Sequence, residues 1–169
     1  RRALLPRLKT LPRLSMKSER SAMPKSKPIR VIIDTNLWIS FIISKRFDAL
    51  DSLIQSNKVR LLFSIELIEE IQVSIEKPKL KKYFEGTSVE TMLLAFRSFI
   101  DLVTVKSKVN VCRDTKDDFL LALSKDGKAD YLVTGDKDLL SLNCYRKTDI
   151  VTFSQFIEIL ETTKSGFEH

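Results

Sequence analysis

Residues 29–36 read IRVIIDTN, and this stretch decides the fold. The continuous apolar run from Val31 to Ile33 predicts a short strand that is buried on both faces. Strands of this kind are typical of a parallel sheet that is covered by helices on both sides. Because the run stops at Asp34, the sequence also places a carboxylate directly at the carboxyl end of a central strand.

Strand and helix signals alternate through the rest of the chain. Further strands are predicted at 58–63, 102–105, 131–134 and 150–151, and helices at 37–44, 47–57, 64–77, 88–100, 117–127 and 152–160. Ser64 and Ser88 are predicted N-caps. Pro78 is predicted to end one helix and Gly127 to close another. The alternation predicts an α/β fold, a three-layer α/β/α sandwich with a mainly parallel, Rossmann-like central sheet.

Length and composition narrow the function classes. With 169 residues and 43% hydrophobic residues, the chain can build one domain with a sizeable core. No apolar run approaches the roughly 20 residues of a membrane span, so no membrane association is expected. Cys112 and Cys144 lie far apart, which disfavours a disulfide framework or zinc cluster and favours the reducing cytoplasm. The only histidine is His169, the last residue given, which disfavours a catalytic triad that needs a positioned imidazole.

The positive charge is concentrated at the start of the chain. Residues 1–30 hold ten of the 29 Lys and Arg and one of the 22 Asp and Glu, so they carry +9 and the remainder carries −2. We expect residues 1–28 to be a basic, disordered leader, and residues 29–163 to form the folded domain. The alternative for the leader is an arm that touches RNA phosphates or targets an organelle.

Two aspartates follow predicted strands. Asp34 comes directly after IRVII, and Asp136 comes directly after YLVTG. In an open parallel sheet, sites form at the carboxyl ends of the strands, so both side chains are candidates for one crevice. Carboxylate oxygens suit Mg²⁺ or Mn²⁺. Taken singly, each aspartate fits a turn or helix N-cap equally well.

Two further acids lie on predicted helices. Glu70 lies beside the apolar face of its helix, and Asp118 lies one turn before the inward-facing Leu121 and Ala122. Asp114 and Asp117 are near enough to take the place of Asp118. Carboxylates that converge repel one another, and divalent cations that relieve the repulsion can activate water against a phosphodiester. Glu70 alone also fits a solvated helix position.

Three blocks in order resemble the PIN domain family, a nuclease family that includes the VapC-like toxins of toxin–antitoxin pairs. The blocks are VIIDTNLWIS, SIELIEEIQVSIEKPKL and CRDTKDDFLLALSKDGKADYLVTGDKDLLSL. The resemblance covers residues 30 to about 160. It implies four catalytic acids, Asp34, Glu70, Asp118 and Asp136, where Asp118 is preferred over Asp117 because Ala122 follows it by four residues.

The resemblance also implies the surroundings of these acids. The metal ligands would come from Asp34, Asp118 and Asp136, with Asp114, Asp117 and Asp138 as further candidates, and the supporting hydrogen bonds from Thr35, Asn36 and Thr134. The implied activity is Mg²⁺- or Mn²⁺-dependent cleavage of RNA. The implied partners are RNA, a cognate antitoxin and a second copy of the chain. Trp38, Ile39 and Ile42 are candidates for a dimer contact, although core packing is the favoured interpretation.

Two alternatives to an active nuclease remain. A haloacid-dehalogenase-like phosphatase would need a second aspartate two residues after Asp34, where this chain has Asn36. A catalytically inactive PIN-like module that binds RNA or protein is disfavoured because all four acids are present. The folded part has no general positive charge, so RNA would need a local basic patch. The lysines at 77, 79, 81 and 82 are one candidate, with a solvated helix end as the favoured interpretation.

Overall fold

The computed structural model describes residues 27–44, 58–84 and 88–165. Six strands and seven helices alternate along these ranges. The strands are β1 (Ile29–Ile33), β2 (Val59–Phe63), β3 (Ile100–Leu102), β4 (Tyr131–Val133), β5 (Cys144–Tyr145) and β6 (Thr148–Val151). The helices are α1 (Thr35–Ser44), α2 (Ile65–Ile75), α3 (Pro78–Lys81), α4 (Val89–Phe96), α5 (Asp118–Asp126), α6 (Lys137–Ser141) and α7 (Phe153–Ser165). Short 3₁₀ turns lie at Arg97–Phe99 and Thr115–Asp117.

The strands form one sheet in the order β3-β2-β1-β4-β6-β5. All neighbouring pairs are parallel except β5 and β6, which are antiparallel. In β1, Val31 and Ile32 point to opposite faces, and both are completely buried, so both faces of the sheet are covered. The predicted α/β fold with a mainly parallel sheet is confirmed.

An aromatic cluster fills the core beside β1. The Trp38 ring lies 5.2 Å from that of Phe63 and 6.2 Å from that of Phe96, measured between ring centroids. Trp38, Ile39 and Ile42 are all buried within the chain. Core packing therefore accounts for these three residues, and their side chains are not available for a dimer contact.

Several boundaries differ from the sequence predictions. The helix predicted to reach residue 100 ends at Phe96, and a 3₁₀ turn leads into β3 two residues earlier than expected. Pro78 does end the preceding helix, but it also begins α3 at its first position, where a missing N–H costs nothing. The hairpin of β5 and β6 and the five-residue helix α6 were not predicted. Both are too short to show a hydrophobic period.

Gly127 closes α5, but not through the left-handed conformation that a C-terminal glycine usually adopts. Its φ is −80°, and the left-handed position belongs to Lys128 with φ 49°. Glycine is needed at 127 for space, because a Cβ there would lie 2.8 Å from Leu62 Cδ1 and 2.9 Å from the Leu123 carbonyl oxygen.

Two predictions lie outside the described residues: the helix at 47–57 and nearly all of the basic leader, residues 1–26. Among the helices that are described, none combines the length and the apolar character that crossing a bilayer requires.

Candidate active site at the carboxyl ends of the strands

One threonine joins the acids that follow β1 and β4. The Thr134 hydroxyl donates to Asp34 Oδ2 at 2.6 Å, and its oxygen accepts from the Asp136 N–H at 3.0 Å. Thr134 is completely buried and Asp34 is 5% exposed. Since β1 and β4 are hydrogen-bonded neighbours, Asp34 and Asp136 lie at the same edge of the sheet. Thr134 therefore fixes the spacing of two candidate ligands.

Asp136 also begins α6. Its Oδ1 accepts from the backbone N–H groups of Asp138 at 2.8 Å and Leu139 at 3.0 Å, which makes it the N-cap. The capping role and the site role are thus compatible, because the cap uses only one of the two carboxylate oxygens.

Glu70 reaches the same edge from α2. Ser64 caps that helix by accepting from the Leu67 N–H at 3.3 Å, as predicted. The Thr35 hydroxyl donates to Glu70 Oε2 at 2.6 Å, so the residue after Asp34 orients the glutamate. Asn36 contributes its backbone N–H, which lies 3.4 Å from Asp34 Oδ1.

Asp118, the residue preferred from sequence for the third acid, is used differently. Its Oδ1 accepts from the backbone N–H groups of Val111 at 3.0 Å and Cys112 at 2.9 Å. The side chain is buried at 7% exposure. Desolvation opposes ionisation there, but these hydrogen bonds prevail and lower the pKa of Asp118. Asp118 therefore holds the segment before α5 in place as a satisfied carboxylate.

Asp117, its neighbour, is the residue coupled to the other acids. Burial and then the negative charges of Asp136, Asp34, Asp114 and Glu70 raise the pKa of Asp117 to about 6. Burial also raises the pKa of Asp34, with a further contribution from Asp136 and with hydrogen bonds in opposition. Asp34, Glu70, Asp114 and Asp136 are thus the acids whose charges act on Asp117, whereas Asp118 Oδ1 is occupied by the backbone N–H groups of residues 111 and 112.

The remaining candidates lie at the rim. Asp114 is exposed, and its Oδ1 accepts from the Lys116 N–H at 3.0 Å in the 3₁₀ turn before α5. Asp138 is exposed and lies 3.9 Å from Arg113 Nη1. Burial and the nearby Asp118 raise the pKa of Cys112 to about 12, so this thiol stays protonated and is not a nucleophile.

The acids are an all-oxygen donor set, which fits a hard divalent cation. Within the described ranges, no three Asp, Glu, Cys or His side chains form a ready-made metal cage. Mg²⁺ does not require such a cage, because it keeps several waters and binds through one or two carboxylates together with substrate phosphates. The chemistry of the side chains is therefore suited to Mg²⁺ or Mn²⁺.

The distinction between Asp117 and Asp118 has a signal in the sequence. Leu121 and Ala122 are buried, and Asp118 shares their face because it precedes them by three and four residues. A carboxylate that faces inward, such as Asp118, needs hydrogen-bond donors from the protein itself. The preceding residue, Asp117, points in another direction and can face a crevice. Two features could not be predicted from the sequence: the pair of hydrogen bonds that Thr134 makes with Asp34 and Asp136, and the contact of Cys112 with Asp118. Both depend on the directions of side chains.

Comparison with known proteins gives four similarities. The family model described as the PIN domain matches residues 30–138, more than half of the chain. An uncharacterized protein of Methanocaldococcus jannaschii is 33% identical over 144 residues, which cover 79% of this chain and 92% of that protein. The structure of Mycobacterium tuberculosis VapC20, a toxin that cleaves the sarcin–ricin loop, aligns with a TM-score of 0.46 and 10% identity over 70% of this chain and 98% of VapC20. The PIN domain of T. brucei RRP44 aligns with a TM-score of 0.46 and 14% identity over 83% of this chain and 85% of that chain.

Proposed function

The chain belongs to the PIN domain family, and from that premise we propose that it is a metal-dependent endoribonuclease that hydrolyses RNA phosphodiester bonds. One observation supports this proposal above the others. Asp117, on a separate element, is electrostatically coupled to Asp34, Asp136 and Glu70, and no basic side chain of the described residues forms an ion pair with any of these four. Such an arrangement favours the binding of a divalent cation.

We assign the third acid to Asp117. Asp34, Asp117 and Asp136 would hold Mg²⁺ or Mn²⁺, Glu70 would complete the acidic set, and Asp114 and Asp138 would be accessory at the rim. When bound, the cation supplies positive charge that stabilises the developing charge on a phosphodiester and activates water for attack. Asp118 is a positioning residue, because it orders residues 111–112 beside Asp117.

The chain's own groups prepare this site. Thr134 fixes one oxygen of Asp34, and burial of Asp34 keeps bulk water from that carboxylate. Thr35 holds Glu70 by its hydroxyl. Both threonines are buried, so the acids that they orient are held by rigid elements at the strand ends.

The biological role is a finer part of the proposal. The order of the acidic blocks favours the toxin of a toxin–antitoxin pair in the cytoplasm, with an antitoxin that covers the acidic crevice. Expression of the intact chain in a bacterial host should then arrest growth, and Asp136→Asn should relieve the arrest. Normal growth with soluble, folded protein would contradict the toxin role and leave the nuclease proposal to its own test.

The direct test of the nuclease proposal is RNA cleavage by purified protein. We expect labelled RNA to be cut with Mg²⁺ or Mn²⁺, and cleavage to stop when EDTA is added. Asp136→Asn should remove cleavage while circular dichroism shows the same fold, because the amide oxygen can still accept the α6 cap. RNA that stays intact with folded, metal-loaded protein across several substrates would favour an inactive RNA- or protein-binding module.

A further inference from the structure

A second charged site lies at the opposite end of the sheet from the acids. A cleft of about 760 Å³ opens beside the start of β4 and β6 and the end of α5. Five basic side chains and one acid contribute to its lining: Lys27, Lys125, Lys128, Arg146, Lys147 and Asp130.

No ion pair within the described part of the protein neutralises the basic side chains of this cleft. All five basic residues are exposed, and none forms an ion pair with a described carboxylate. Asp130, the acid in the lining, already accepts the Arg30 N–H at 2.8 Å. The cleft therefore presents five cations toward solvent, although residues 31–169 together carry a net charge of −2.

Two of these cations occupy backbone positions that favour glycine. Lys128 has φ 49° and Arg146 has φ 57°, and both are in the left-handed region. Glycine or asparagine would adopt these conformations at lower cost. The chain instead carries long cationic side chains at both positions, and both line the same cleft.

A structural explanation accounts for only part of the cluster. Lys125 lies in the last turn of α5, where a cation interacts favourably with the negative end of the helix. Arg146 and Lys147 form the two-residue loop between β5 and β6, and Lys27 precedes β1. Neither of these two segments is a helix end, so three separate elements bring their cations to one cleft.

We infer that this cleft binds the phosphate backbone of RNA and anchors the substrate away from the site of cleavage. The inference rests on the proposed function, which supplies RNA as the ligand. At the acidic edge, the bound cation would hold the phosphate that is cleaved, so the neighbouring phosphates of a longer RNA need basic side chains elsewhere on the protein. The α5 helix, nine residues and about 13 Å long, connects the acidic edge near Asp117 to the cleft near Lys125.

The basic character of the cleft continues in the amino-acid sequence that precedes Lys27. Lys27 lines the cleft, and residues 1–26 contain eight Lys or Arg and one Glu. This continuity favours a long polyanion over a small ligand or a short acidic peptide.

The test uses substitutions that remove charge without straining the fold. Lys128→Gly and Arg146→Gly, combined in the full chain, delete two cations and place glycine where it is favoured. The melting temperature should stay the same or rise. Binding of a fluorescently labelled 20-nucleotide RNA, measured by anisotropy in EDTA to prevent cleavage, should weaken about tenfold at 0.15 M salt, with a salt slope shallower by about 1.4.

The matched control removes two cations from another basic surface. Lys79→Gln with Lys81→Gln makes the same change in net charge at α3. This control should bind the RNA within about twofold of the wild type. Equal loss of affinity in the two double variants would show that total charge, and not the cleft, decides binding, and would overturn the inference.

Other outcomes separate this inference from the proposed function. Unchanged RNA affinity in Lys128→Gly, Arg146→Gly overturns the cleft assignment even if the protein cleaves RNA. A second probe, polyglutamate, tests for an acidic protein as the ligand. If the variant loses binding to polyglutamate and keeps its RNA affinity, the cleft binds acidic proteins and the inference is overturned. Conversely, a loss of RNA affinity in a protein that never cleaves RNA supports the cleft and contradicts the nuclease proposal.

Discussion

Two groups of charged residues at opposite ends of the sheet, one around Asp101 and one around Asp117, differ in whether their charges are compensated. Near the amino ends of the strands, Asp101 on β3 accepts from Arg30 Nη1 at 2.9 Å and also pairs with Arg60. Hydrogen bonding to Arg60 and the charges of both arginines lower the pKa of Asp101, against the effect of burial. At the carboxyl ends, burial and neighbouring acids raise the pKa of Asp117 to about 6. The charges around Asp101 are compensated, and those around Asp117 are not.

The group around Asp101 stabilises the sheet, whereas the group around Asp117 forms the candidate active site. The arginine–aspartate network ties three adjacent strands together, and Arg30 Nε also donates to the Gly127 carbonyl oxygen at 2.8 Å. At the acidic edge, Thr134 and Thr35 donate hydrogen bonds to Asp34 and Glu70, but the carboxylates also repel one another. Uncompensated carboxylates that lie close together favour the binding of a cation, since the cation supplies the missing positive charge.

The largest effect on stability is expected at Asp101, where the charges are compensated. Asp101→Ala leaves Arg30 and Arg60, both about a quarter to a third exposed, without their shared acceptor. We expect the free energy of unfolding to fall by about 2 kcal/mol, as for hydrogen bonds to charged groups. Urea denaturation measures this change, with Asp149→Ala on the exposed part of β6 as the control. Equal midpoints for the two variants would contradict the role of the network.

A smaller loss is expected at Asp118. Asp118→Asn removes the negative charge that two backbone N–H groups contact, while the remaining amide oxygen keeps part of the interaction. The free energy of unfolding should fall by about 1 kcal/mol. If this variant were more stable than the wild type at neutral pH, Asp118 would belong with the repelling acids.

The smallest effect, and the opposite sign, is expected at Asp117. Asp117→Asn removes repulsion, so the metal-free protein at pH 7 should gain about a few tenths of a kcal/mol.

The pH dependence follows from the same carboxyl group. Its pKa is raised in the folded protein, from the ordinary 3.8 to about 6, so the native state binds this proton more tightly than the unfolded state. The wild type should therefore gain stability as pH falls through 6 toward 3.8, and Asp117→Asn should lose that gain. Urea titrations in EDTA at pH 7, 6 and 5 measure it, and parallel curves for the two proteins would contradict the assignment.

Much of the fold could be predicted because its signals are local. The apolar runs of β1 and β4 and the serines at 64 and 88 correctly predicted central strands and capped helices. The hairpin loop at Arg146 and Lys147 could not be predicted, because it lacks the Asn or Gly that usually marks such a turn. The start of β3 was missed because a 3₁₀ turn replaces the predicted last turn of α4.

The site was harder to predict than the fold. Strand ends indicated Asp34 and Asp136, and the block order indicated Glu70, but the choice between adjacent aspartates depends on about 100° of helical rotation. In the structure, Asp118 accepts hydrogen bonds from the backbone of residues 111–112, whereas the charges of the other acids act on Asp117. The basic cleft was not predicted at all, because its cations are scattered over three segments of the sequence.

The most direct test of the central claim is metal-dependent RNA cleavage by Asp117→Asn and Asp118→Asn, measured side by side at saturating Mn²⁺. The two variants make the same chemical change at adjacent positions, so each controls for the other. We predict that Asp117→Asn reduces the rate at least about a hundredfold and that Asp118→Asn reduces it less than about tenfold. Loss of cleavage in Asp118→Asn with activity retained in Asp117→Asn would contradict the account.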